Sequence, residues 1–588
     1  MTEARTEVQE VWEPYARSGP ARPRLEAMPA SGVDLLVAGN AGVSELSEGV
    51  TEVTVVPEGS EVGPVRLEWR LPCVDATAFW TPYGNGAGGW LPASWSAPQR
   101  IDLSRGAPIA ALVGTGDTGL CCFAADRTDV EAGGGVVEET GEFRFWLRAD
   151  GPLTVRIDTS RRHFGTCLRE LTCWWEELLP DEVIVPDAAR RPAYSTWYSM
   201  HQELSPQRLE EQAALAGPLG MEVLIVDDGW MTADRTRGYG HCGAWDPVSL
   251  PDTAAHVEAV HRLGLAYMLW YALPFVGRQS PVWDRFQPYV LDRLDHLDAI
   301  VVDPRYPDVR AYLTGRVACA VEEWGMDGLK LDFVDRFHVP DAPAPGPQAD
   351  CATVDEGVSA LLAEIRRRIT AATPGAMIET RQPYVSPGLW PYTTMIRAVD
   401  CPLSPGENRQ HTIDTRLVSG PLAVHSDMLM WHPAEPPEQV ACHLINVLFA
   451  VPQISVDLRT LTEGQRDALA FWLRVMREHH EVLQLGTLRP ARPDLGYPLV
   501  RADLGTVAAV ARYAALPVAV DGDWRRLLIA NADADPVVVL TAGTGTGAAR
   551  VADASGRTVW QGAIALSGEC GESIKVSVPR GGLLTLDR

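Results

Sequence analysis

Residues 327–335 read DGLKLDFVD, a short apolar run with a lysine and an aspartate set inside it. Side chains alternate along a strand, so Gly328, Lys330 and Asp332 are expected on one face and Leu329, Leu331 and Phe333 on the other. A lysine one layer below a carboxylate lowers that carboxylate's pKa and keeps it ionised at neutral pH, as a nucleophile requires. Four other short runs end in acid: EVLIVDD in Asp227 and Asp228, TMIRAVD in Asp400, PLAVHSD in Asp427, and PQISVDL at Asp457. Trp197 and His201 close AYSTWYS, Trp270 closes AYMLWY, and Arg381 follows AMIET. A polar residue at a strand end is more often a helix cap or a turn former than a catalyst; that reading accounts for Asp457 and leaves Asp427 open. As a set, carboxylates and aromatics suit a neutral, polyhydroxylated ligand, since acids accept from hydroxyl pairs and an indole packs on the C–H face of a sugar ring. They also suit glycoside cleavage, with one carboxylate as nucleophile and one carboxylic acid as proton donor. Asp332 is expected in the first role and Asp400 in the second, with ionised neighbours raising the pKa of Asp400.

The elements that must hold these groups are legible in the pattern. Eight strand-like runs begin near residues 193, 222, 266, 328, 376, 394, 421 and 452, alternating with helical segments such as SPQRLEEQAALAGPLG and GVSALLAEIRRRIT. That spacing predicts a (β/α)₈ barrel, whose strand carboxyl ends line the site. An open doubly wound sheet would advertise a Gly-rich phosphate turn after its first strand, and none is present. Before the barrel, EVTVVP, VRLEWRL, EFRFWLRA and LTVRID alternate as antiparallel strands do. After it, RLLIANA, PVVVLTAG and SIKVSVPRGGLLTL return to short β runs. The expected organisation is an N-terminal β-sandwich over 1–185, a catalytic barrel over 186–485 and a small C-terminal β domain over 486–588.

Composition narrows the partners. A formal charge of −26 argues against nucleic acid or an anionic membrane, because binding phosphate needs a basic surface. No apolar run approaches a membrane span, and the start, MTEARTEVQEVWEP, does not read as a secretory signal. The 11 cysteines, an odd number without CxxC spacing, are expected as reduced thiols in a cytoplasmic protein. The adjacent histidines of REHHE (477–481) point apart around a helix, so no metal site and no cofactor is expected. Homo-oligomerisation stays open.

The barrel resembles that of the glycoside hydrolase family 36 and family 27 α-galactosidases. The resemblance rests on LIVDDGWM (224–231), on Lys330-Leu331-Asp332, and on IRAVD, where Arg397 precedes Asp400 by three residues. It implies a retaining, exo-acting enzyme that cleaves terminal α-galactosides by double displacement. Asp332 would be the nucleophile and Asp400 the acid/base. Asp227 and Asp228 would bind sugar hydroxyls, while Lys330, Trp197, Trp230, Trp270, Arg381, Arg397 and Asp427 would complete the pocket. The loop WTPYGNGAGGWLPASW (80–95) could drop Trp90 over the mouth, or be plain surface. Two departures bear on the sugar's C2 contacts: Leu331 stands where relatives have an aromatic, and ETRQPYVSPG replaces a cysteine- and glycine-containing stretch. Arg381, Gln382 or Tyr384 are the substitutes at hand.

Three alternatives follow from the same residues. A related α-pyranosidase, for N-acetylgalactosamine, glucose or β-L-arabinopyranose, or a transglycosylase, fits the altered fifth strand. Lys330 could instead form a Schiff base, though an acidic mouth suits an aldolase's anionic substrate poorly. A carbohydrate-binding protein on a retired hydrolase scaffold would have no need of both aspartates.

Overall fold

The computed structural model describes residues 26–30, 33–59, 63–82, 89–236, 238–567 and 573–588. They fall into two compact units divided after Cys167, with Leu103–Ala107 joining the second.

The N-terminal unit is a pair of six-stranded antiparallel sheets. Alternation builds its core directly: Val65, Leu67 and Trp69 of Pro64–Pro72 share a buried sheet face with Phe143, Phe145 and Leu147 of the neighbouring Glu142–Asp150, all at 0% exposure. Trp69 stacks on Phe145 with centroids 5.3 Å apart. On the other face Arg66 and Arg70 flank Glu68 as a ladder of ion pairs.

The second unit contains an eight-stranded parallel sheet rolled into a barrel. Its strands are β1 (Ala193–Ser195), β2 (Val223–Val226), β3 (Ala266–Ala272), β4 (Gly328–Asp332), β5 (Met377–Arg381), β6 (Met395–Arg397), β7 (Ala423–His425) and β8 (Gln453–Ile454). β1 pairs with both β2 and β8, and the remaining gap is bridged at His425–Val451, so the ring is nearly closed. Each run expected as a barrel strand forms one. The residues of β2 and β4 are buried on both faces, as parallel strands covered by helices must be.

Seven of the β-to-α connections carry an α-helix, several with strong end signals. Ser205 accepts from the Arg208 amide at the start of Pro206–Leu219, and Thr353 with Glu356 forms a capping box on Val354–Ala372. The β5–β6 connection departs from the expected alternation. It holds a short 3₁₀ helix, Pro387–Tyr392, because Pro383, Pro387 and Pro391 each remove an amide an α-helix would need. The β3–β4 connection gains a three-stranded antiparallel sheet (Phe275–Gly277, Val290–Leu294, Ala299–Val302) that the sequence pattern did not announce.

Inside the barrel, two-residue steps stack the side chains in layers. The floor is apolar: Ala193, Val223, Ile225, Met268, Met377, Met395 and Ala423, closed from below by Ala189. The layer above is charged or polar, with Lys330, Glu379, Arg397, His425 and Gln453, all at most 3% exposed. Beyond the barrel a seven-stranded and a three-stranded sheet enclose Val510, Leu527, Ile529, Val538, Val576 and Leu584. No described helix is long and apolar enough to cross a membrane, and the ten described cysteines are free thiols.

Candidate active site

Asp332 ends β4 and is 8% exposed. Phe333, the next residue, takes φ 63°, so the chain leaves the strand there. Phe333 therefore does not continue the outer face of Leu329 and Leu331, as strict alternation expected. Its ring packs with Phe275 (4.7 Å), Tyr239 (5.0 Å) and Trp270 (6.4 Å), and its amide donates to Asp332 Oδ1 at 2.8 Å. Arg381 Nε donates to the same oxygen at 2.5 Å, and the Trp270 indole to Oδ2 at 3.0 Å. Burial by itself would raise the pKa of Asp332. Arg381, then Lys330 and Arg397, outweigh it and hold the carboxyl well below the usual range.

Lys330 sits one layer lower, as expected, and donates to Asp227 Oδ2 at 2.5 Å. Asp227 Oδ1 accepts the Asp228 amide at 2.9 Å. Asp228 turns the other way: Oδ2 accepts from Gln202 Nε2 at 2.9 Å, while Oδ1 is buried without a hydrogen-bond partner among the described residues. Burial, then the charges of Asp227 and Asp332, push the Asp228 carboxyl up to about 7 against the pull of Gln202. Gly229 must follow it, because φ there is 108° and a Cβ would lie 2.5 Å from Gln202 Cα.

Asp400 follows β6 and differs from Asp332 in exposure, its side chain being 50% accessible. Arg397 Nη1 donates to Asp400 Oδ1 and to Asp427 Oδ1, both at 2.7 Å. Here the sequence expectation is corrected. Burial, the largest influence, and the like charge of Asp332 push the pKa of Asp400 up, but Arg397, with Lys330 and Arg381, together outweigh them and lower it. Asp427 is wholly enclosed, with Tyr198 and the Cys401 amide on Oδ2, so its reach to any ligand runs through Arg397. Burial, opposed by Arg397, raises its pKa.

The aromatics divide by depth. Trp197 is partly exposed at the end of β1, its ring edge-on to His201 at 4.8 Å. Trp230 is fully buried among Trp245, Tyr271 and Trp324, and its indole N–H holds the Trp270 carbonyl at 2.8 Å. It supports Trp270 from behind. Trp90 belongs to the N-terminal unit and is 70% exposed, and residues 83–88 of its loop lie outside the described residues. Asp457 caps a 3₁₀ turn and pairs with Arg459, as the capping reading expected.

Glu379 was missed. It lies inside β5 at 0% exposure, its Oε2 taking Gln453 Nε2 and its Oε1 3.9 Å from both Lys330 Nζ and Arg397 Nε. Attention to strand ends passed it over, although the steps Met377–Glu379–Arg381 set it in register with Lys330. Gln202, in the loop after β1, carried no signal of its own. Among the described residues, no group of acids, histidines and cysteines could hold a metal.

Residues 163–401 match the Melibiase family model. The chain is 23% identical over 180 residues to Alpha-galactosidase 2 of Pediococcus pentosaceus, covering 28% of this chain and 24% of that protein. It is 32% identical over 106 residues to the malto-oligosyltrehalose trehalohydrolase of Deinococcus radiodurans, 17% of this chain and 18% of that one. Among solved structures, a doubly substituted GH36 α-galactosidase AgaA from Geobacillus stearothermophilus, in complex with raffinose, superposes with a TM-score of 0.62. Identity to it is 15%, over 96% of this chain and 85% of that one. The matched stretches thus span about a quarter or less of these two curated relatives, while the architecture is shared nearly end to end. Residues 163–401 are thus similar to the Melibiase family model, and the chain shares the fold of the GH36 α-galactosidases.

Proposed function

We propose that the protein is a retaining, exo-acting glycoside hydrolase that cleaves terminal α-galactosides of small molecules or oligosaccharides. One observation carries the reading. In a domain that matches the Melibiase model, a carboxylate held ionised by cations ends β4, and a second, half-exposed carboxylate follows β6. Asp332 is the nucleophile. Asp400 protonates the leaving oxygen, then takes a proton from the attacking water. The surrounding cations lower its pKa; an aglycone that covers it and strips water from it raises that pKa and forms the proton-donor state. Asp227 and Asp228 hold sugar hydroxyls, Trp197 and Trp270 shape the pocket, and Lys330, Arg397 and Asp427 orient the two carboxylates. Relatives of the same fold are crystallised with raffinose and stachyose, which supports oligosaccharide substrates.

A second reading, a related α-pyranosidase, is favoured by the fifth strand. There Arg381 and Tyr384 crowd the nucleophile where the family resemblance leads to a cysteine- and glycine-containing stretch. A panel of aryl glycosides, followed by proton NMR in the first minutes, separates the possibilities. The α-galactoside should turn over fastest and release the α anomer first. First appearance of the β anomer would overturn the retaining mechanism, preference for another sugar would transfer the reading to that pyranoside, and no turnover of any would leave a binding protein.

A further inference from the structure

The two oxygens of Asp332 are held unequally. Oδ1 accepts from Arg381 Nε at 2.5 Å, from the Phe333 amide at 2.8 Å and from the Tyr384 hydroxyl at 3.4 Å. Oδ2 accepts from the Trp270 indole at 3.0 Å. Arg381 is itself fixed. Its Nη1 donates to the Gln382 carbonyl at 2.8 Å, its Nη2 lies 3.9 Å from Asp335 Oδ1, and the guanidinium rests over the rings of Phe333 and Tyr384. Its side chain is 13% exposed, so this geometry is enforced by packing rather than sampled in solvent.

We propose that Arg381 is a positioning residue that occupies Oδ1 of Asp332, leaves Oδ2 as the attacking oxygen, and makes the carboxylate a good leaving group, so that it speeds hydrolysis of the glycosyl-enzyme. The inference rests on Asp332 being the nucleophile. In the first half-reaction a lone pair on Oδ2 bonds to the anomeric carbon. The carbon–oxygen bond to the aglycone breaks, and the departing oxygen takes the proton of Asp400. In the second, water bonds to that carbon and gives its proton to Asp400, and the carbon–Oδ2 bond breaks with its electron pair returning to the carboxylate. A guanidinium on Oδ1 stabilises the anion that departs and, for the same reason, weakens the anion that attacks. The other charged groups near Asp332 are Lys330 on its own strand, Arg397 on β6, Asp228 after β2, Asp335 after β4 and Asp400 after β6; Tyr239 and Tyr384 are the titratable hydroxyls near it. Arg381 is the cation in direct hydrogen bond with it.

The test is R381Q in the full chain, assayed with a nitrophenyl α-galactoside. Without the guanidinium, departure slows more than attack. The variant should then show a pre-steady-state burst of nitrophenol, kcat and KM falling together with kcat/KM less affected, and a hexosyl adduct in the intact-protein mass at steady state. The acid limb of kcat/KM should move to higher pH by about 1–3 units, the usual effect of one adjacent opposite charge on a carboxylate. R381K keeps the charge but loses the planar fork, and should fall between wild type and R381Q. An equal fall in kcat and kcat/KM, with no burst and an unmoved acid limb, would overturn the proposal. If R381Q does not fold, wild-type partitioning and an unmoved limb in R381K would do the same. Failure of a 2-fluoro-galactosyl fluoride to label Asp332 in the wild-type enzyme would sink the nucleophile assignment instead, which separates the two readings.

Discussion

The carboxylates after β4 and β6 share a barrel mouth, but their surroundings are opposite in kind. Asp332 is enclosed, 8% exposed, and gripped by an arginine, an indole, a phenol and a backbone amide. Asp400 is half exposed and leans on Arg397, whose other bonds go to Asp427 and the Ala398 carbonyl. A nucleophile gains from the first arrangement, because a fixed, ionised carboxylate needs no reorganisation before attack. A group that must give up a proton and later regain one gains from the second, since its protonation state stays open to water and to the arriving aglycone.

The largest expected effect tests the enclosed half. Replacing Asp332 with Ala or Gly should lower turnover by about 10⁴-fold or more, and added azide should restore product as the β-glycosyl azide. Wild-type rates in that variant would remove Asp332 from the chemistry. A smaller and selective effect tests the exposed half. Asp400→Ala should slow substrates with poor leaving groups far more than activated aryl ones, because a good leaving group needs little protonation. In the wild type, a lowered Asp400 pKa places the basic limb of kcat/KM, which reports the free enzyme, at lower pH than that of kcat. A uniform loss across leaving groups, or coincident limbs, would erase the contrast with Asp332.

The smallest effect concerns binding. Asp228→Asn should weaken a galactose-like inhibitor by about 1–3 kcal/mol, the range for a hydrogen bond to a charged group. The wild type should bind that inhibitor more tightly as pH rises through about 7, where Asp228 ionises and becomes a full acceptor. The stability sign is the reverse. The folded pKa lies above the ordinary value of an aspartate, so the stability that goes with a protonated Asp228 is present below about pH 4 and is lost as pH rises to about 7. The Asn variant should lose that slope, by thermal melts at each pH. Inhibitor affinity equal to wild type would demote Asp228 to a turn residue.

The legible parts of the sequence were those written in local pattern. Eight runs such as LIVDD and GLKLD became barrel strands because apolar residues bounded by turns have few other ways to be buried. Lys330 fell one layer beneath Asp332 because a strand's period of two leaves no choice. Local pattern also misled. Phe333 was carried along by alternation one residue too far, where a left-handed backbone turns it into the mouth. The β5–β6 segment was expected to hold a helix, although its prolines forbid one.

By itself the sequence determined which side chains would reach the barrel's interior and at what height, since strand periodicity and strand ends are local properties. The tertiary structure decided which charges meet. Arg381 could have served the sugar, yet it closes on Asp332; Arg397 could have been a bystander, yet it lowers the pKa of Asp400 and ties it to Asp427. Glu379 lies 3.9 Å from both Lys330 and Arg397, on the strand between theirs. Coulomb energy depends on separations of a few ångströms across neighbouring strands, and strand order, tilt and register set those separations without any mark in the local run of residues.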